Sequence, residues 1–201
     1  MRSGPTPIAA MSIKVYYWGP KMMNMYGRAI GIYLTLDQAG VEYEMHPQSE
    51  LAAVAPGAAF AVPCVEIDGT FMGQTPAILS VLGRKFGLLG KTPAEEMQVL
   101  HGLEDMNDIF GEHGKFVENE ERKDKWFSYF DKKLAERKWV GGTEDPTVAD
   151  FHGVFTFEWV NKKKIDFSKY ENVVRWLADL KEYPVVKKMY ASCVDGRSMI
   201  P

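Results

Sequence analysis

The stretch from Ala61 to Gly90, AVPCVEIDGTFMGQTPAILSVLGRKFGLLG, constrains this chain more than any other, because it holds the signals for two strands, a helix start and a helix stop in one run. Cys64–Ile67 has alternating apolar positions, Asp68-Gly69 supplies the two residues that a tight hairpin needs, and Thr70–Met72 reads as the returning strand. Thr75-Pro76 then places a hydroxyl at a helix N-cap and a proline at the first helical position, where no backbone donor is missed. Ala77, Ile78, Val81, Leu82 and Phe86 recur at helical spacing, and Gly87 behind Arg84 and Lys85 ends the helix. Val62-Pro63 precedes the first strand, where a proline withholds a ladder donor and favours a turn that admits a cis bond.

The segments before this stretch fit around it. Ile13–Trp18 is β-branched and aromatic, a strand with Ile13, Val15 and Tyr17 on one face and Lys14, Tyr16 and Trp18 on the other. A helical period runs from Gly27 or Arg28 to Ala39, Gly40 stops it, and Val41–Met45 reads as the next strand. Ser49–Val54 makes a short helix ahead of Pro56-Gly57. The order β-α-β-α-β-β-α over Ile13–Phe86 is that of an α/β thioredoxin-like domain, with the first two strands parallel across the helix.

Beyond the linker Gly87–Pro93 no strand is expected. Ala94–His113 and Glu121–Arg137 have helix-forming composition, the latter with Trp126, Phe127, Phe130 and Leu134 on one face. Thr147 and Asp150 stand in capping-box spacing ahead of the apolar run Phe151–Val160, so Asp150 is read as structural. Asn172–Leu180 and Val185–Tyr190 are two further amphipathic helices, separated by Pro184. The expected division is a thioredoxin-like domain over 12–87, an all-α helical domain over 93–201, and a tail over 1–11.

Composition excludes several classes of function. With 201 residues, 46% hydrophobic and 25% charged, the chain can bury a sizeable core. A net charge of −3 leaves no electrostatic footprint for nucleic acid or an anionic membrane, and no apolar run reaches the ~20 residues that span a bilayer. Cys64 and Cys193 lie far apart with no metal spacing, and His46, His101, His113 and His152 show no paired-ligand pattern, so no metal site is expected and the compartment reads as cytoplasmic.

The run V-P-C-V-E-I-D-G-x-x-x-G-Q-T-x-A-I resembles the segment of cytosolic glutathione transferases that holds the γ-glutamyl end of glutathione. The tyrosine-using, sigma-like classes are the most similar in pattern. The resemblance implies that the backbone of Val62 at Pro63, together with Gln74 and Thr75, binds glutathione as co-substrate. An extended backbone and a helix N-terminus suit a peptide-like carboxylate ligand. It further implies a homodimer, with Asp108 in Leu103–Phe110 presented to the partner's site and Glu104 one turn earlier.

In the tyrosine-using classes a phenol at the end of the first strand donates to the glutathione sulfur. Tyr17 occupies that place, and Arg28 matches the arginine that supports it. Tyr26, directly before Gly27, is the alternative donor, since serine-using classes carry their hydroxyl in this loop. Two features depart from the pattern. The loop Trp18–Tyr26 is long and carries Met22, Met23 and Met25, while Glu50–Ala61 lacks the Trp and Lys that clamp the glycine carboxylate, leaving His46 and Gln48 as substitutes. The expected function is conjugation of the glutathione thiolate to a small hydrophobic electrophile, or glutathione-dependent isomerisation. The alternative is a non-catalytic protein of the same fold with a structural or regulatory binding role.

Overall fold

The computed structural model describes residues 11–18, 25–194 and 199–200. Expectations for the first ten residues and for the loop residues Met22 and Met23 lie outside them. A four-stranded sheet is built from β1 (Ile13–Tyr17), β2 (Glu44–Pro47), β3 (Cys64–Ile67) and β4 (Thr70–Met72) in the order β2-β1-β3-β4. β1 and β2 are parallel, whereas β3 is antiparallel to both β1 and β4. The hairpin turns on Asp68 (φ 49°) and Gly69 (φ 81°), the positive-φ pair of a tight two-residue loop.

Helix α1 (Ile30–Ala39) connects the parallel strands. Its end shifts β2 from its expected place. Gly40 adopts φ 65° and donates to Asp37, and the Val41 N–H donates back to the Leu36 carbonyl, so Val41 completes the helix cap. The strand therefore begins at Glu44 instead of Val41. A short α2 (Gln48–Val54) and α3 (Thr75–Phe86) complete the thioredoxin-like half.

The second half is all helical: α4 (Pro93–Glu112), α5 (Glu120–Ala135), α6 (Val148–Lys162), α7 (Glu171–Glu182) and α8 (Pro184–Val194). α4 starts on a capping box of Thr92 and Glu95. In α6, Asp150 closes the expected box with Thr147 and also accepts from the Val140 amide and the Trp176 indole, both at 2.9 Å. One carboxylate thus ties the α6 start to the preceding loop and to α7.

A single apolar core runs through both halves. α1 lies between α3 and α6 and approaches both closely at Gly31, where a Cβ would stand 3.2 Å from both the His152 Cα and the Leu79 side chain. The absence of a side chain there lets α1 seat directly on α6, which fixes the thioredoxin-like half against the helical one.

Candidate active site

Three segments meet in one cleft: the approach to β3, the start of α3 and the turn into α1. The Val62-Pro63 peptide is cis, and Gln74 holds φ 67° and ψ 104° as the chain leaves β4. The Gln74 carbonyl already accepts from the Ile78 amide at 3.0 Å, so the helical ladder opens one residue earlier than the sequence suggests. Thr75 is therefore the first residue of α3 and not its cap, and its hydroxyl makes no capping bond.

That hydroxyl is the most informative atom of the cleft. Thr75 is 3% exposed, and its Oγ1 has no hydrogen-bond partner among the described residues. A buried polar group left without a partner costs about 1–3 kcal/mol, and among the unpartnered buried atoms of the described residues this is the one that lines the cleft. It stands at a helix N-terminus, whose amides favour an anion. Arg28, Phe60, Val62, Pro63 and Gln74 line the same cleft, of about 180 Å³. A larger hollow of about 580 Å³ lies beside Ile13 and Val41–Glu44, but among the described residues no unpartnered buried polar atom lines it.

Tyr17 ends β1, 8% exposed, outside the lining of the cleft but joined to it through Arg28. Its hydroxyl oxygen accepts the Arg28 backbone N–H at 2.7 Å, which leaves the phenolic proton to be donated elsewhere. Burial raises the Tyr17 pKa, opposed by the Arg28 amide, the Trp18 side chain and the Arg28 charge. The phenol thus keeps its proton at neutral pH and is able to donate it. The Arg28 side chain is exposed, lines the cleft and lies over the Phe110 ring of α4, 4.8 Å from its centroid.

Tyr26 is also buried, but its hydroxyl is 2.6 Å from Ser192 Oγ on α8 and its ring stands edge-on to Tyr33. Glu104 and Asp108 are exposed one turn apart on α4, outside the lining of the cleft. Burial, with the Asp108 charge adding to it, raises the Glu104 carboxyl. His46 is engaged on both ring nitrogens, with Glu50 at 2.6 Å and Glu44 at 2.8 Å, so it is not a substitute clamp for a ligand carboxylate. Sequence reasoning did not find Phe60, Phe110 or Ser192 as neighbours of these groups. Each approaches from a segment remote in sequence, and no local pattern signals it.

The family model for the glutathione S-transferase C-terminal domain matches residues 93–184. Glutathione S-transferase 1 of Ascaris suum is 38% identical over 92 residues, 44% of this chain and 45% of that protein. In its helical half and in its fold the chain is similar to the cytosolic glutathione transferases. The hematopoietic prostaglandin D synthase of Gallus gallus is 28% identical over 144 residues, 64% of this chain and 72% of that protein. Among solved glutathione transferases, the one from Ascaris lumbricoides is 28% identical with a TM-score of 0.68, over 90% of this chain and 96% of that one. The chain spans about half the length or less of most curated relatives it matches. In this glutathione transferase fold no described helix is long and apolar enough to cross a membrane.

Proposed function

We propose that the protein is a glutathione transferase, and that residues 12–87 bind glutathione while the helical residues 93–201 wall the pocket for a small hydrophobic electrophile. The observation that carries this reading is the buried, unpartnered Thr75 hydroxyl at the α3 N-terminus, beside Gln74 and the cis Val62-Pro63 peptide. These groups suit the γ-glutamyl carboxylate and the peptide backbone of the tripeptide.

Chemistry then requires a thiolate. A free thiol has a pKa near ~8.5, and lowering it by ~2 units demands roughly 2.7 kcal/mol of extra stabilisation of the anion. Tyr17 supplies it by donating its proton in a hydrogen bond to sulfur, while the Arg28 amide holds the phenol oxygen from the other side. The thiol proton leaves to solvent and the sulfur lone pair forms a bond to the electrophilic carbon. The displaced electron pair departs with a leaving group or, in an addition, is protonated by water. Glutathione-dependent isomerisation uses the same thiolate, which adds and is then expelled. Relatives named as transferases and a synthase favour this reading over a non-catalytic role.

The exposed Glu104 and Asp108 on α4 support a homodimer in which Asp108 meets the glutathione amino group of the partner's site. Sedimentation at micromolar concentration checks it against a 22.7 kDa species. A cytoplasmic location accords with this chemistry, which needs a pool of reduced glutathione.

The deciding experiment compares the pH dependence of thiolate absorbance in glutathione complexes of Tyr17→Phe and Tyr26→Phe. Tyr17→Phe is expected to raise the pKa of bound glutathione by about one unit or more and cut turnover about tenfold near neutral pH, with affinity largely kept. Tyr26→Phe is expected to leave the titration in place. The reverse pattern moves the role to Tyr26, and no binding at millimolar glutathione removes the transferase reading.

A further inference from the structure

Two consecutive backbone amides leave the turn before α1 in opposite service. The Gly27 N–H donates to the Met199 carbonyl at 2.7 Å, and the Arg28 N–H donates to the Tyr17 hydroxyl at 2.7 Å. Because peptide groups are planar, the orientation of one amide restricts the next to rotation about the two dihedrals of Gly27. Gly27 holds φ 49°, a left-handed conformation that glycine adopts without steric cost but with many alternatives open to it. Something must select that conformation. Within the turn two short-range bonds are made, from the Ala29 amide to the Tyr26 carbonyl at 3.1 Å and from the Ile30 amide to the Gly27 carbonyl.

The other restraints come from the far end of the chain. Met199 and Ile200 are 7% and 9% exposed, so this segment is held by apolar packing as well as by its carbonyl. The Tyr26 hydroxyl adds a second tie through Ser192, which in turn donates to the Met189 carbonyl. Val62, Gln74 and Thr75 belong to another part of the cleft and do not take part in these ties.

We propose that the Met199–Ile200 segment is a positioning element for the thiol-activating phenol: by accepting the Gly27 amide it fixes the turn so that the Arg28 amide meets Tyr17. This rests on the role given to Tyr17 above. The segment sets the acidity of the bound thiol and not the affinity for glutathione.

The test displaces the segment by Ile200→Asp, which puts a charge where an apolar side chain is buried, with Ile200→Val as the conservative variant and a chain ending at Arg197 as a second route. Amide hydrogen exchange is read first, on the proteins without glutathione. Gly27 and Arg28 are expected to exchange at least tenfold faster in Ile200→Asp, with Ile200→Val restoring protection. Unchanged protection at Arg28 overturns the proposal and leaves the transferase reading untouched.

Thiolate titration of the glutathione complex is read second. The expected result is a rise of about one unit and about a tenfold loss of kcat/KM near neutral pH, with glutathione affinity within threefold. In a Tyr17→Phe background Ile200→Asp is expected to add no further shift. A shift that persists there shows that the segment does not act through Tyr17. If Ile200→Asp does not fold, the chain ending at Arg197 is read by the same criteria. Failure of every protein, the unmodified one included, to bind glutathione identifies the transferase reading as the faulty step, and the exchange data still decide the coupling.

Discussion

The Tyr17 hydroxyl stands so close over Gly27 that a Cβ at residue 27 would run into it, and this same contact lets the following amide reach the phenol oxygen. Gly27→Ala therefore meets two obstacles, the clash and the positive φ, the second worth about 1–2 kcal/mol for a residue with a side chain. The ring of Tyr17 or the turn must move. We expect kcat/KM to fall more than tenfold while Thr75-dependent glutathione binding survives. Equal activity in the alanine variant shows that Tyr17 tolerates displacement and so is not the thiol donor.

Thr75 separates binding from stability. Its hydroxyl is buried without a partner in the free protein, so Thr75→Val removes an unsatisfied group at nearly constant shape and leaves the melting temperature unchanged or higher. Glutathione affinity should drop about tenfold, close to 1.4 kcal/mol, because the ligand then loses its hydroxyl contact. Calorimetric titration beside thermal melting reads both. A lower melting temperature with unchanged affinity assigns the hydroxyl to the fold instead of the ligand.

Local chemistry made much of this legible in the sequence. The Asp68-Gly69 hairpin, the Gly40 and Gly87 helix stops and the Thr147/Asp150 box depend on residues within a few positions of one another, and each lies where the pattern places it. The misplaced details are also local: Val41 finishes a helix instead of starting a strand, and Thr75 enters its helix instead of capping it. Both turn on which carbonyl takes the first or last helical bond, a choice that propensity does not resolve. The contacts that organise the cleft are of another kind. Tyr26 with Ser192, Gly27 with Met199 and Arg28 with Phe110 join segments far apart in the chain, and none leaves a periodic trace.

Asp150 is expected to matter for stability alone. Its two oxygens accept from the Val140 amide, the Trp176 indole, and the amide and hydroxyl of Thr147. Asp150→Ala leaves these donors buried, at a cost of roughly 3 kcal/mol or more. For a chain of this size that lowers the melting temperature by about 6–12 °C. A change under about 2 °C shows that water replaces the carboxylate, and the tie between α6 and α7 then carries little.

His152 sets an acid limit on the fold. Its ring is fully buried beside Phe155, neither nitrogen has a partner among the described residues, and burial, with the Arg28 charge adding to it, lowers its pKa to about 3. The unfolded chain binds a proton there near pH ~6.5, whereas the folded protein does not until far lower. The folded pKa is depressed, so the associated stability is complete above the unfolded value. It is lost as pH falls toward the folded one, by about 1.4 kcal/mol per pH unit. His46 works in the opposite sense. Burial lowers its pKa, but Glu50 and Glu44 outweigh that and raise it, so its contribution is present below the unfolded pKa and fades as pH rises through the folded one. We therefore expect His152→Leu to flatten the fall in urea-unfolding stability between pH 6.5 and 4 by nearly one proton, relative to the unmodified protein. Stability at pH 7.5 should stay within about 1 kcal/mol, because the substitution removes two unpartnered nitrogens from the core. Parallel stability curves for the two proteins across that interval would mean that the ring is protonated in the folded state, which requires a partner for it that water supplies.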